Sequence, residues 1–154
     1  MQAPDLTVGA PRRWSENIEG IVWLPRLIDK TRAAHAGTLG SYLFGQSPVD
    51  RSLLRALGIG YTDFARIVAC ELDDAAIVRS IAHRDPESLA RARKWGAWLQ
   101  KNYGWFLFVL DVDDGYAGGF WRAVRPPVTA CANAFTWFLK RAWPSKAIER
   151  SKRG

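Results

Sequence analysis

The sequence predicts an all-α fold, a compact single-domain bundle of about five to seven helices with short capped connections, and three observations predict it. Apolar residues recur at helical rather than alternating spacing, as in Phe64, Ile67 and Val68 and again in Ala76, Ile77 and Ile81. A capping residue followed by proline opens a helix at Ser47 with Pro48 and again at Asp85 with Pro86. Finally, 154 residues with 48% hydrophobic content are enough for one buried core.

Taken in order, residues 1–13 contain Pro4, Gly9 and Pro11 without periodicity and read as an irregular arm. Ser15 caps a short helical turn leading to Gly20, and Ile21 to Leu24 is a brief apolar run. Pro25 suits the first position of a helix, where no amide hydrogen is needed, and Gly37 suits its end. Ser47 and Pro48 open a second helix through Leu53, Leu54 and Leu57, stopped by Gly58. Thr62 caps a third and Asp73 a fourth. The helix opened at Asp85 and Pro86 runs through Trp95, Trp98 and Leu99 to a predicted end near Tyr103. Trp105 to Leu110 is an apolar run whose packing is predicted to be helical, because no partner strand is visible. The following Asp111, Asp113, Asp114 and Gly115 read as a polar turn, since the glycine comes too early for a calcium-binding EF-hand loop. Pro126 and Pro127 are predicted to open the last helix, through Ala130, Phe135, Trp137 and Phe138. The helical domain is expected over residues 14–143, with a mobile basic tail over 144–154.

The charge is unevenly divided. Between Phe120 and Gly154 eight basic residues face Glu149 alone, while the rest of the chain holds fourteen of each sign, so the whole net charge of +7 belongs to this tryptophan-rich end. Cys70 and Cys131 have no metal-ligand spacing and are expected as buried thiols, with no metal site. Met1 to Ala10 has no signal-peptide pattern and no stretch approaches ~18 consecutive apolar residues, so a cytoplasmic protein is expected.

The densest mixture of polar chemistry lies between Leu24 and Tyr42. Leu27, Ile28, Thr31 and Ala34 make an apolar stripe, and Arg26, Asp29, Lys30 and Ala33 follow another face, with Asp29 within reach of Arg26 or Arg32. Such a face is ordinarily solvated. It becomes a candidate site because Gly37, Gly40 and Gly45 bracket Thr38, Ser41 and Tyr42 in a loop that can approach a ligand closely.

The run GIVWLPRLIDKTRA, then GTLGSY, then DRSLLRALGI resembles an uncharacterised bacterial family, the domain of unknown function numbered 5069, over roughly Trp14 to Ile81. The resemblance implies a small, mostly helical soluble domain and supplies no catalytic residues.

Two functional expectations follow from the residues. In the first, the domain binds a small acidic or aromatic molecule beside the helix and glycine loop of residues 25–42. Arg26 and Lys30 would hold an acidic group, Thr38 and Tyr42 would orient the ligand, Trp23, Trp95 and Trp98 would wall the pocket, and Asp29 or His35 would exchange a proton in acid/base chemistry. No cofactor is named by these residues. In the second, a non-enzymatic module uses residues 120–154 on a membrane surface, a nucleic acid or an acidic partner. Both partner readings compete with a third, which is preferred, in which the same aromatics are core or homo-oligomer contacts and only the tail is exposed.

Overall fold

The computed structural model describes residues 3–142, and these form six helices and one small two-stranded ribbon. Helix α1 (Leu24–Ala36) has Pro25 in its first turn and ends at Gly37, whose φ of 75° suits a residue without a Cβ. The ten residues from Leu24 to Ala33 are all buried. The helix therefore has no solvated face over that length, and the charged row of Arg26, Asp29 and Lys30 points into protein rather than water.

The other elements surround it. β1 (Asn17–Ile18) and β2 (Ile21–Val22) pair antiparallel, Asn17 opposite Val22 and Ile18 opposite Ile21. This corrects the helical turn expected from Ser15: Glu19 and Gly20 both take positive φ, the turn geometry that matches the twist of a two-residue hairpin. α2 (Pro48–Ala56) is capped by the Ser47 hydroxyl, which accepts from the Asp50 amide. α3 (Tyr61–Cys70) starts one residue before the expected Thr62 cap, and α4 (Asp74–Arg84) follows Asp73. Leu27 and Ile28 of α1 meet Leu53 of α2, Phe64 of α3 and Ile77 and Ile81 of α4 in one core, each fully or almost fully removed from water. Burial on this scale stabilises by roughly 1.5–3 kcal/mol per large side chain.

α5 (Ser88–Asp114) is interrupted at Tyr103, where φ is −126° and ψ 25°. The helix expected to end there does break, and the apolar run beyond it is helical. The carboxylates after that run do not make a polar turn. Asp111 and Asp114 sit buried in the last turn of α5, and Gly115, with φ 82°, ends the helix. α6 (Trp121–Ala142) starts five residues before Pro126, so the two prolines lie inside it rather than opening it. The start is set instead by Gly119, whose φ of 61° reverses the chain and whose carbonyl accepts from the Arg122 amide. Cys70 and Cys131 are free and exposed, not buried. Trp143 and the basic tail lie outside the described residues. No helix among the described residues is long and apolar enough to cross a membrane.

The N-terminal arm lies against the glycine loop. The Leu6 amide donates to the Thr38 carbonyl at 2.9 Å, and the Thr38 hydroxyl donates to the Pro4 carbonyl at 3.0 Å. Gly40 makes this approach possible: its φ is 61°, and a Cβ there would stand 2.5 Å from the Leu6 carbonyl oxygen. Gly40→Ala is expected to lower the unfolding free energy by at least about 2 kcal/mol, part from left-handed strain and part from the backbone clash. Urea unfolding measures it, and an unchanged midpoint would show that the arm does not rest there.

Candidate functional site

Four charged side chains of one helix cannot be buried without partners, because an unpaired charge in a low-dielectric interior is strongly disfavoured. Every counter-charge comes from outside α1. The Lys30 ammonium donates to Asp50 Oδ2 at 2.5 Å, and the Trp23 indole donates to Asp50 Oδ1 at 2.8 Å. Arg26 donates through both terminal nitrogens to Asp114, at 2.6 and 3.3 Å, and the Tyr42 hydroxyl donates to the same carboxylate at 2.8 Å. Asp29 does not pair with Arg26 or Arg32 along the helix. Arg12 of the arm grips it with Nε, Nη2 and its own backbone amide. Arg12 also reaches Asp74 at 2.6 Å, where Arg32 joins it at 2.7 Å, and Arg13 pairs with Asp111.

Trp23 sets the geometry of this cluster. It is a bulky residue at φ 69°, a conformation costing roughly 1–3 kcal/mol, held by a bond from its amide to the Trp14 carbonyl and by its indole bond to Asp50. The strained position brings its ring 5.5 Å from the Arg26 guanidinium carbon, while Tyr42 lies 5.5 Å from the same carbon. Lys30 Nζ is 5.8 Å from the Trp23 ring. Arg26 Nε is buried and has no hydrogen-bond partner.

Burial lowers the Lys30 pKa, with the Asp50 charge opposing that shift. Burial and the Asp114 charge push the Tyr42 phenol far above its ordinary range, so Tyr42 is a hydrogen-bond donor rather than a base.

Trp23, Arg26, Lys30 and Tyr42 line a cleft of about 1030 Å³ between the arm, the glycine loop, α1, the end of α5 and α6. Its walls are apolar, with Phe106, Val109 and Leu110 from α5 and Val124 and Val128 from α6. Asp29 does not line this cleft, and Thr38 is spent on the arm. His35 comes nine residues after Arg26, half a turn round the helix at ~100° per residue, and is exposed. Trp95 is half-buried with its indole on Ser52, and Trp98 is exposed beside Tyr103. Sequence reasoning missed Asp50 and Asp114, which neutralise Lys30 and Arg26 at the base of the cleft. The available signal was the excess on α1 itself, where Arg26, Lys30 and Arg32 outnumber Asp29. Among the described residues no three His, Cys, Asp or Glu side chains gather as a metal site.

Chemically, two cations matched by two carboxylates leave a base that carries no net charge. It offers hydrogen-bond donors and aromatic faces under an apolar vault. A model of the family described as "Domain of unknown function (DUF5069)" matches residues 9–106, which hold Arg12, Trp23, Arg26, Lys30, Tyr42 and Asp50 but neither Asp111 nor Asp114. No curated protein matches the chain.

Proposed function

The chain belongs to the DUF5069 family, whose description assigns no activity, and from the cleft we propose that it binds one small amphipathic molecule, with an apolar or aromatic body and a polar head. The observation that carries this reading is the Arg26 guanidinium, held between the Trp23 and Tyr42 rings at the base of an apolar cleft. A cation between two rings is a recognition element for a planar or polar group, and the apolar walls favour a greasy body behind it. Because Asp114 and Asp50 already neutralise the base, a purely anionic ligand would have to compete with them. The reading is one of binding rather than catalysis: Asp29 is saturated by Arg12, and His35 faces away.

The test is native mass spectrometry of gently purified protein against its denatured mass, with thermal shifts over a panel of small amphiphiles. Val128→Trp narrows the cleft from its α6 wall, at a residue that forms none of the ion pairs, and serves as the control. A bound mass, or a stabilisation reaching about 2.7 kcal/mol at a hundredfold excess over Kd, is expected for the natural chain and not for Val128→Trp. Ligand responses identical in the two proteins, or absent from both, would remove the reading.

A further inference from the structure

α6 is unlike the other helices, for no residue from Trp121 to Arg141 is buried. It packs on α5 and walls the cleft, yet Trp137 and Phe138 remain 64% and 60% exposed. At ~100° per residue Trp137 shares with Arg122 and Arg141 one side of α6, away from Val124 and Val128, which line the cleft, and Phe138 lies at the edge of that side. Near the start of the helix Phe120, 76% exposed, and Trp121 extend the aromatic surface onto Phe108 and Trp105 of α5. From Gly115 to Ala142 the sequence has four basic residues and no Asp or Glu, and Lys146, Arg150, Lys152 and Arg153 follow. Arg122 and Arg141 have no carboxylate partner among the described residues.

We propose that the outer face of α6, with the adjoining aromatic corner of α5, docks in the plane of an anionic lipid surface. Charge complementarity chooses this partner. A second copy meeting the same face by two-fold symmetry would set these cations against their own copies, a repulsive arrangement. An anionic surface neutralises them, while tryptophan and phenylalanine enter the interface. Unpaired nucleic-acid bases fit less well, because stacking needs an open ring face. Here Phe108 and Trp121 meet edge-on at 4.8 Å and 84°, Phe120 lies edge-on to Trp121, and the Arg141 guanidinium lies 5.8 Å over the Trp137 ring. Since no described helix is long and apolar enough to span a bilayer, the contact lies along the surface.

The experiment is sedimentation of the full chain with vesicles of phosphatidylcholine alone and of phosphatidylcholine mixed with phosphatidylglycerol, with tryptophan emission followed in parallel. Binding to the anionic vesicles with a blue shift is expected, weakened by salt, and little binding to the neutral ones. Arg122→Gln with Arg141→Gln is expected to weaken binding about thirtyfold, at roughly fivefold per cation. Trp137→Ala with Phe138→Ala is expected to weaken binding and reduce the blue shift, the rest of which comes from Trp105 and Trp121, while leaving the circular dichroism unchanged, since both replaced side chains are exposed. Vesicle binding unaffected by either pair would overturn the proposal. So would absence of vesicle binding, whether the chain instead retains a single-stranded oligonucleotide, assembles with rising concentration, or does neither.

Discussion

Asp50→Ala is expected to lower the unfolding free energy by about 3–5 kcal/mol, the cost typical of stranding a buried charge. Asp50 is fully buried and serves two donors, the Lys30 ammonium and the Trp23 indole. Without it, an ammonium that is itself almost wholly buried loses the carboxylate it is hydrogen-bonded to, and the strained Trp23 loses one of its two anchors. Replacing both partners, as Lys30→Met with Asp50→Leu, is expected to restore most of the loss, because two apolar side chains of similar volume need no counter-ion. Denaturant unfolding of the two singles and the double measures the coupling. If Asp50→Ala cost no more than a surface substitution, the ammonium would have to be reaching water, and the buried cluster described above would be wrong.

Arg12→Ala is expected to cost about 3 kcal/mol although Arg12 is not a core residue. One guanidinium holds Asp29 through two nitrogens, Asp74 through a third and the Pro25 carbonyl besides, tying the arm to α1 and α4. The same contacts set a pH dependence. Burial alone would raise the Asp74 pKa, but hydrogen bonds and charge from Arg12 and Arg32 bring it below 3.8. A carboxyl whose folded pKa is depressed contributes stability that is present above its unfolded pKa and disappears as pH falls through the folded value. In Arg12→Ala part of that contribution is already missing. The stability gap between natural chain and variant is therefore expected to be constant near neutrality and to narrow below about pH 4. A gap that widens on acidification would contradict the assignment of Asp74 as the responsible group.

What could be read from the sequence is what local chemistry determines. Pro25 and Gly37 bound α1 because a missing amide hydrogen and a positive φ are properties of single residues, and Ser47 with Pro48 marks α2 for the same reason. Trp23, Arg26, Lys30 and Tyr42 could be grouped because one helix and the loop after it carry them. Their counter-ions could not. Asp50 satisfies every local rule as a first-turn carboxylate, and Asp114 those of a turn before glycine; only the packed chain assigns them to Lys30 and Arg26. The hairpin at Glu19 escaped because a glutamate at φ 54° contradicts its own preference. The start of α6 escaped because proline ordinarily begins a helix rather than occupying its sixth and seventh positions. Local preference in each case yielded to contacts made at a distance.

The remoteness of the carboxylates that neutralise α1 also fixes where this chain can be cut. A fragment ending at Phe106 would keep Leu24–Ala33 and the core around them, yet Arg26 would have lost Asp114 and Arg13 would have lost Asp111. A fragment beginning at Trp14 would keep Asp29 and lose the arginine that grips it. Measured along the polypeptide, the shortest piece that keeps every buried charge of α1 with its partner runs from Arg12 to Asp114, a span set by ion pairs rather than by the extent of the apolar core.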